Sequence, residues 1–310
     1  MNVAPMLATA LDYTRDAVGN PTFEEGVFQW DAEPKLDGVR LLVYLEPNCN
    51  YSKALTRVKG KHTGEYANKF GHLAWARTDG LVSATTIIDG EVTWGNNSRE
   101  TMQILGCDWR EAFSRMHDRK QCLKFTAFDL LAFQGTDIRH KTYEERRQRL
   151  TLLMGHLMEN FPNEVDLVYP GPARALWSRC SEGIMLKAPY HTYQSGRRSP
   201  DWLKVKRSKK YIAVVTGFQW GKKGKSDKMV GLMGSLSVSM INKEGILIHV
   251  GDVGTGFAMG ERNAGAWPPR TVVEVESSDV TEDGILWHPR FCQRRPDLRV
   301  EDAPLAQILS

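Results

Sequence analysis

The sequence predicts an α+β domain followed by a small all-β domain, and three observations carry that reading. Across the first two thirds of the chain, strand-like stretches alternate with helical periodicity. After about Ser208 the helical periodicity fades, and short strands separated by Gly-rich turns take its place. The 310 residues suffice for two such domains at roughly 100–200 residues each.

Taken in order, Val39–Glu46, Thr86–Trp94 and Lys124–Phe133 are rich in β-branched, aromatic and Leu residues and read as strands. Glu65–Arg77 is a candidate helix. Thr142–Glu159 is the clearest helix, with Tyr143, Leu150, Leu153, Met154, Leu157 and Met158 on one face. Thr142, followed three positions later by Glu145, has the form of a capping box at its start. Gly183–Ala188 and Tyr211–Phe218 are further strands. From Tyr211 to Glu276 the close spacing of short strands suggests a small barrel or sandwich. The polar run Arg207-Ser208-Lys209-Lys210 reads as a hinge, which sets the domains at residues 1–208 and 209–310.

Composition narrows the class. A hydrophobic content of 41% with 25% charged residues is ordinary for a globular protein, and a net charge of +4 is compatible with a polyanionic partner without requiring one. Cys49, Cys107, Cys122, Cys180 and Cys292 include no C-x-x-C pair, which excludes a zinc ribbon. Their odd number, with no secretory leader, points to reduced thiols in an intracellular protein. The histidines have no metal-ligand spacing, and no apolar run approaches the roughly 20 residues that span a bilayer.

Ala32-Glu33-Pro34-Lys35-Leu36-Asp37-Gly38-Val39-Arg40 stands between two strand-like runs. Alone, Lys35 beside an Asp-Gly pair reads first as a surface hairpin, because the string is short, and only second as a nucleophile. Other segments follow it in order: Thr56-Arg57, Asp89-Gly90-Glu91, Ala127-Phe128-Asp129-Leu130-Leu131, Glu182-Gly183-Ile184-Met185-Leu186-Lys187 and Trp202-Leu203-Lys204-Val205-Lys206. Together they resemble the K-x-D-G-x-R, D-G-E, E-G-x-x-x-K and W-L-K-x-K motifs of the covalent nucleotidyltransferases, and within these the ATP-dependent DNA ligases. The resemblance implies a nucleotidyltransferase (adenylation) domain with antiparallel sheets, followed by an oligonucleotide-binding (OB) barrel.

It also implies a chemistry in three steps. Lys35 attacks the α-phosphate of ATP, AMP passes to a DNA 5′-phosphate, and a 3′-hydroxyl displaces it to seal the nick. An ordinary lysine, with a pKa of about 10.4, is mostly protonated at neutral pH, so desolvation or neighbouring cations must favour the free amine. Arg40, Arg57, Lys204 and Lys206, with bound Mg²⁺ (or Mn²⁺), would supply that field and offset charge on the phosphoryl oxygens. By the same resemblance Glu91 and Glu182 lie near the metal, partly through water. Glu33 accepts from the adenine amino group, Phe128 stacks on the base, and Lys187 completes the nucleotide contacts. Lys204 and Lys206 alternate with apolar residues and so share one face of a strand.

In the second domain, Val253-Gly254-Thr255-Gly256-Phe257 and His288-Pro289-Arg290-Phe291 resemble motifs of the ligase OB barrel. Arg295 and Asp297 match the family's closing R-x-D-K, where Leu298 stands in place of the lysine and Arg299 follows it. Either Arg295 alone or Arg299 with it then orients the leaving pyrophosphate. Candidate contacts to the phosphates of nicked duplex DNA are Arg197, Arg198, Lys222, Lys223, Lys225 and Lys228. About 30 residues precede the lysine segment, where larger ligases carry a DNA-binding domain. That resembles the compact ligases of bacteriophages and some bacteria, and the expectation is a monomer working in a cell's cytoplasm, a host's if of phage origin. An RNA ligase and a GTP-dependent mRNA capping guanylyltransferase are the alternatives.

Overall fold

The computed structural model describes residues 3–11, 13–15, 21–22, 30–47, 53–56, 82–221 and 230–309. Cys49, Arg57, the candidate helix at 65–77 and the lysines Lys222, Lys223, Lys225 and Lys228 lie outside the described residues. The chain divides into two compact units, Met1–Lys206 and Arg207–Ser310.

The first unit begins with β1 (Leu7–Ala10), the short pair β2 (Thr14–Arg15) and β3 (Pro21–Thr22), and β4 (Asp31–Pro34). β5 (Val39–Leu45), β6 (Lys53–Thr56) and β7 (Thr86–Thr93) lead to helices α1 (Ser98–Leu105) and α2 (Trp109–Arg119). Next come β8 (Lys124–Phe133), β9 (Thr136–Asp137) and the long helix α3 (Tyr143–Asn160). β10 (Val165–Leu167), α4 (Ala173–Arg179), β11 (Gly183–Lys187) and β12 (Arg198–Lys206) complete the unit.

Two sheets result. The larger has the order β10-β8-β7-β5-β6, with β9 on β8, and is antiparallel except between β10 and β8. Both of its faces are covered. Leu41, Val43 and Leu45 of β5 join Ile104, Met116, Leu150, Met154 and Leu157 from the helices, while Leu42 and Tyr44 face a second core with Met6, Tyr193 and Trp202. A strand buried on both sides reads as a continuous apolar run, which is why β5, β7 and β8 stand out in the sequence. Helix α3 starts at the capping box: the Thr142 hydroxyl accepts from the Glu145 amide at 3.2 Å, and the Glu145 carboxylate accepts from the Thr142 amide at 2.9 Å.

The smaller sheet, of order β1-β12-β11-β4, positions the site. Ala32, Ile184, Leu186, Leu203 and Val205 pack on Ala173 and Trp177 of α4. With side chains alternating along each strand, Glu33, Met185, Lys187, Trp202 and Lys204 take the opposite face. Register brings them together: Met185 lies opposite Glu33 on one side and Lys204 on the other, and Lys187 lies opposite Trp202.

The second unit contains β13 (Lys209–Trp220), β14 (Met233–Ile241), β15 (Leu247–Val253) and β16 (Val272–Ser277). The small hairpin β17 (Asp279–Val280) and β18 (Leu286–Trp287) precedes β19 (Arg290–Arg294). An antiparallel sheet runs β15-β14-β13-β16-β19, around a core that includes Val215, Leu236, Val238, Val250, Val273, Val275, Trp267 and Phe291. A parallel bridge from Thr255 to Arg290 ties the two edges, with the Phe291 amide donating to the Thr255 carbonyl at 2.9 Å. Of the run 207–210 expected as a hinge, the last two residues belong to β13. Lys209 and Lys210 already pair with Ser277 and Glu276 in the sheet, and the Lys210 ammonium meets Glu274 at 2.8 Å, so a charged run begins a strand without losing its partners.

Candidate active site

A cavity of about 450 Å³ opens on the free face of the smaller sheet, a size within the usual range for small-ligand sites. Glu33, Lys35, Arg40, Glu91, Phe128, Lys187, Arg198, Lys204 and Lys206 all line it, and Leu7, Ala8, Thr56, Met185 and Trp202 complete much of the wall. Segments scattered between Leu7 and Lys206 therefore converge on one hollow.

At the outer end Lys35 follows directly on β4, and its Nζ donates to Glu182 Oε1 at 2.9 Å. The Lys206 ammonium stands 3.8 Å from the same oxygen. Both side chains of the Lys35 pair keep some contact with solvent, at 19% and 17% exposure. The Asp-Gly pair after Lys35 is not a left-handed turn. Gly38 is required because a Cβ there would run into the Val92 carbonyl oxygen of β7. Its amide donates to Glu91 Oε1 at 2.9 Å, so the D-G-E segment on β7 grips the K-x-D-G segment before β5. Burial pushes the Glu91 carboxyl up to about 6, against the opposing pull of Lys35, the Gly38 amide and Arg40.

Arg40, expected to add to the positive field, is itself held by a carboxylate. Its guanidinium forms a bidentate pair with Asp89 at 2.8 and 2.5 Å and donates to the Met6 carbonyl at 2.6 Å. Burial works against its charge, but the Asp89 pair outweighs burial and raises its pKa. Arg40 also lies 5.4 Å from the Phe128 ring centroid and 5.5 Å from that of Trp202, so it borders the cavity as a braced wall.

The inner end holds a second lysine–glutamate pair. Lys187 Nζ and Glu33 Oε2 are 2.5 Å apart, at 1% and 2% exposure. The Lys187 ammonium sits 4.5–5.0 Å from the ring centroids of Trp202, Phe128 and Tyr143 and donates to the Phe128 carbonyl at 3.3 Å. Burial pulls its pKa down, and Glu33 pulls it back up. The Tyr143 hydroxyl donates to the other oxygen, Glu33 Oε1.

Several of these residues carried no role in the sequence reading. Met185 and Trp202 share strand parity with Glu33, Lys187 and Lys204, a signal that period-two alternation alone provides. Tyr143 offers no such signal, because its contact with Glu33 spans 110 residues. Nor does β1, which pairs in parallel with β12 and lends Leu7 and Ala8 to the cavity wall. Arg198 lines the cavity and donates to the Ala8 carbonyl, while Arg197 is exposed beside it.

In the second unit Arg295 and Asp297 hold one another, with Nη2 to Oδ2 at 2.7 Å, and Arg295 also reaches Glu274 at 3.3 Å. The two OB-like motifs meet: Phe257 stacks on Phe291 at 4.7 Å, and a Cβ on Gly256, whose φ is +96°, would strike the Phe291 carbonyl. Leu298 and Arg299 follow Asp297 into a 3-10 turn, where the Arg299 amide donates to Asp302 at 2.8 Å. Among the described residues no group of three or more His, Cys, Asp or Glu side chains could hold a metal by itself, and Cys107, Cys122, Cys180 and Cys292 are free thiols. No helix among them is long and apolar enough to cross a membrane.

Comparison with known proteins accords with this geometry. The multifunctional non-homologous end joining protein LigD of Mycolicibacterium smegmatis is 27% identical over 298 residues, spanning 87% of this chain and 36% of its own. A DNA ligase of Halorubrum lacusprofundi is 25% identical over 309 residues, spanning 87% of this chain and 51% of its own. The chain thus covers about a third to a half of the length of these relatives. A solved Lig E DNA ligase, 21% identical, shares the fold with a TM-score of 0.60 over 94% of this chain and 100% of that one. Residues 5–206 match the ATP dependent DNA ligase domain, and the chain belongs to that family.

Proposed function

We propose that this chain is an ATP-dependent DNA ligase that seals 5′-phosphate/3′-hydroxyl nicks through a lysyl-AMP on Lys35 and an adenylylated DNA 5′ end. The observation that carries the reading is the convergence of Lys35, Glu182, Glu91, Lys204 and Lys206 about one cavity whose inner end is aromatic. The base enters between Phe128, Trp202 and Met185, with Glu33 at the inner end. The triphosphate extends toward Lys204, Lys206 and Arg198. Lys35 leaves Glu182 and gives up one proton to water, the free amine attacks the α-phosphate, the bond to pyrophosphate breaks, and the nitrogen sheds a second proton to water as the P–N bond forms. Arg40 borders the cavity on the ribose and phosphate side, and Arg57 takes part in nucleotide binding.

Glu91 fits a divalent cation, because it lines the cavity and offers the oxygen donors such an ion takes. With Glu182 it would hold Mg²⁺ or Mn²⁺, in part through water. That ion, when bound, offsets charge on the phosphoryl oxygens.

The second unit reads as an OB fold, residues 209–310 of the proposed division, and five strands whose edges meet at Thr255 and Arg290 support that. Arg295 and Asp297 then serve the first step by orienting pyrophosphate. Basic residues Arg197, Arg198, Lys222, Lys223, Lys225 and Lys228 contact phosphates of the duplex, and the enzyme acts as an intracellular monomer.

The test is incubation with Mg²⁺ and α-labelled ATP, GTP or NAD⁺, followed by denaturation, with Lys35→Ala alongside. Label from ATP alone, absent in the variant, and sealing of nicked DNA but not nicked RNA are the expected results. Label from GTP would overturn the reading.

A further inference from the structure

We propose that Tyr143 is a positioning residue for base recognition: its hydroxyl and the Lys187 ammonium together aim the Glu33 carboxylate at the 6-amino group of adenine. The inference rests on the nucleotide reading above and concerns a residue outside the motifs that suggested it. Tyr143 is the first residue of α3, at 1% exposure, and its amide is fixed by the His191 carbonyl at 2.9 Å. Packing accounts for the ring, which lies against Lys187, but not for the hydroxyl: phenylalanine would fill the same space. That hydroxyl donates to Glu33 Oε1, while Lys187 donates to Oε2 at 2.5 Å and Arg147 approaches Oε1 at 3.9 Å.

Each carboxylate oxygen is thus taken from the protein side by one donor. A carboxylate has roughly four acceptor positions, so lone pairs remain on the side that lines the cavity. A group that only accepts suits the donor at C6 of adenine and opposes the carbonyl oxygen at C6 of guanine. Rotation of the Glu33 head group would blur that choice, and two donors anchored on separate elements, α3 and β11, prevent rotation. Hydroxyl and ammonium together convert a flexible acid into a fixed acceptor.

The test measures enzyme–adenylate formation by Tyr143→Phe with ATP and with purine riboside triphosphate, which lacks the 6-amino group. Loss of one hydrogen bond to a charged group should raise the KM for ATP about tenfold. The KM for the analogue, and kcat for both, should stay within about twofold, a split that general loosening of the fold would not give. Glu33→Gln should lose the same ATP preference, and Tyr143→Phe combined with Glu33→Gln should lose no more than Glu33→Gln alone. Equal rises in both KM values, an unchanged KM for ATP, or additive losses in the double variant would overturn the proposal. A wild-type enzyme indifferent to the 6-amino group would overturn it at its base. Label surviving Lys35→Ala would sink the ligase reading and this one with it, whereas failure of the ATP-to-analogue ratio alone leaves the ligase reading intact.

Discussion

Two lysine–glutamate pairs stand on one sheet a few residues apart, and burial separates them. Glu33–Lys187 is enclosed by three aromatic rings at 1–2% exposure, whereas Lys35–Glu182 sits at the cavity's outer end with solvent in reach. A buried pair is costly to break, because either partner left alone is an uncompensated charge. A partly exposed pair is worth little and exchanges readily. The same two residue types therefore do different work. The inner pair keeps a fixed shape for a base to meet, and the outer pair releases its lysine to react.

The comparison breaks first at the nucleophile. Lys35→Ala should reduce enzyme–adenylate formation by roughly four orders of magnitude, the scale of losing a covalent nucleophile, while its urea midpoint stays near wild type. Next in size, Lys187→Met should cost about 3–5 kcal/mol in urea unfolding because Glu33 is stranded, and Glu33→Gln beside it should recover much of that loss. If Lys187→Met costs no more than Lys35→Ala, the distinction between the pairs is wrong.

A smaller effect concerns Glu91, raised by burial from an ordinary 4.5 to about 6. The folded state holds this proton more tightly than the unfolded state, so wild-type stability falls as pH rises from about 4.5 to 6 and stays lower above it. Glu91→Gln should be insensitive across that window and, at neutral pH, more stable by at most about 2 kcal/mol, yet defective in adenylylation. Urea unfolding at the two ends of the window decides it: a wild type that gains stability relative to the variant contradicts the burial argument. Smallest of all, Glu182→Gln should shift stability by less than about 1 kcal/mol, and added salt should erase even that.

The sequence carried strands better than contacts. β5, β7 and β8 were legible because apolar runs bounded by turns mark doubly covered strands, β11 because a short apolar run follows Gly183, and α3 because Thr142 and Glu145 cap a periodic face. The lining of the cavity was legible where motif residues share strand parity, as Glu33, Lys187 and Lys204 do. What stayed hidden depends on chain segments far apart. Tyr143 looked like one more residue of a helix's apolar face, and its hydroxyl gains meaning only when β4 arrives beside it. Arg40 looked like a cation for phosphate, but Asp89 on the neighbouring strand already holds it at two points. The parallel docking of β1 on β12 joins residues about 190 positions apart, beyond any local pattern.

The central claim is that one amine, on Lys35, carries the nucleotide. Peptide mapping by mass spectrometry after incubation with ATP and Mg²⁺ tests it most directly. An acid-labile AMP adduct on the peptide containing Lys35, and on no other, is the predicted result. An adduct on Lys204 or Lys206 instead, or no adduct while nicks are still sealed, would contradict it.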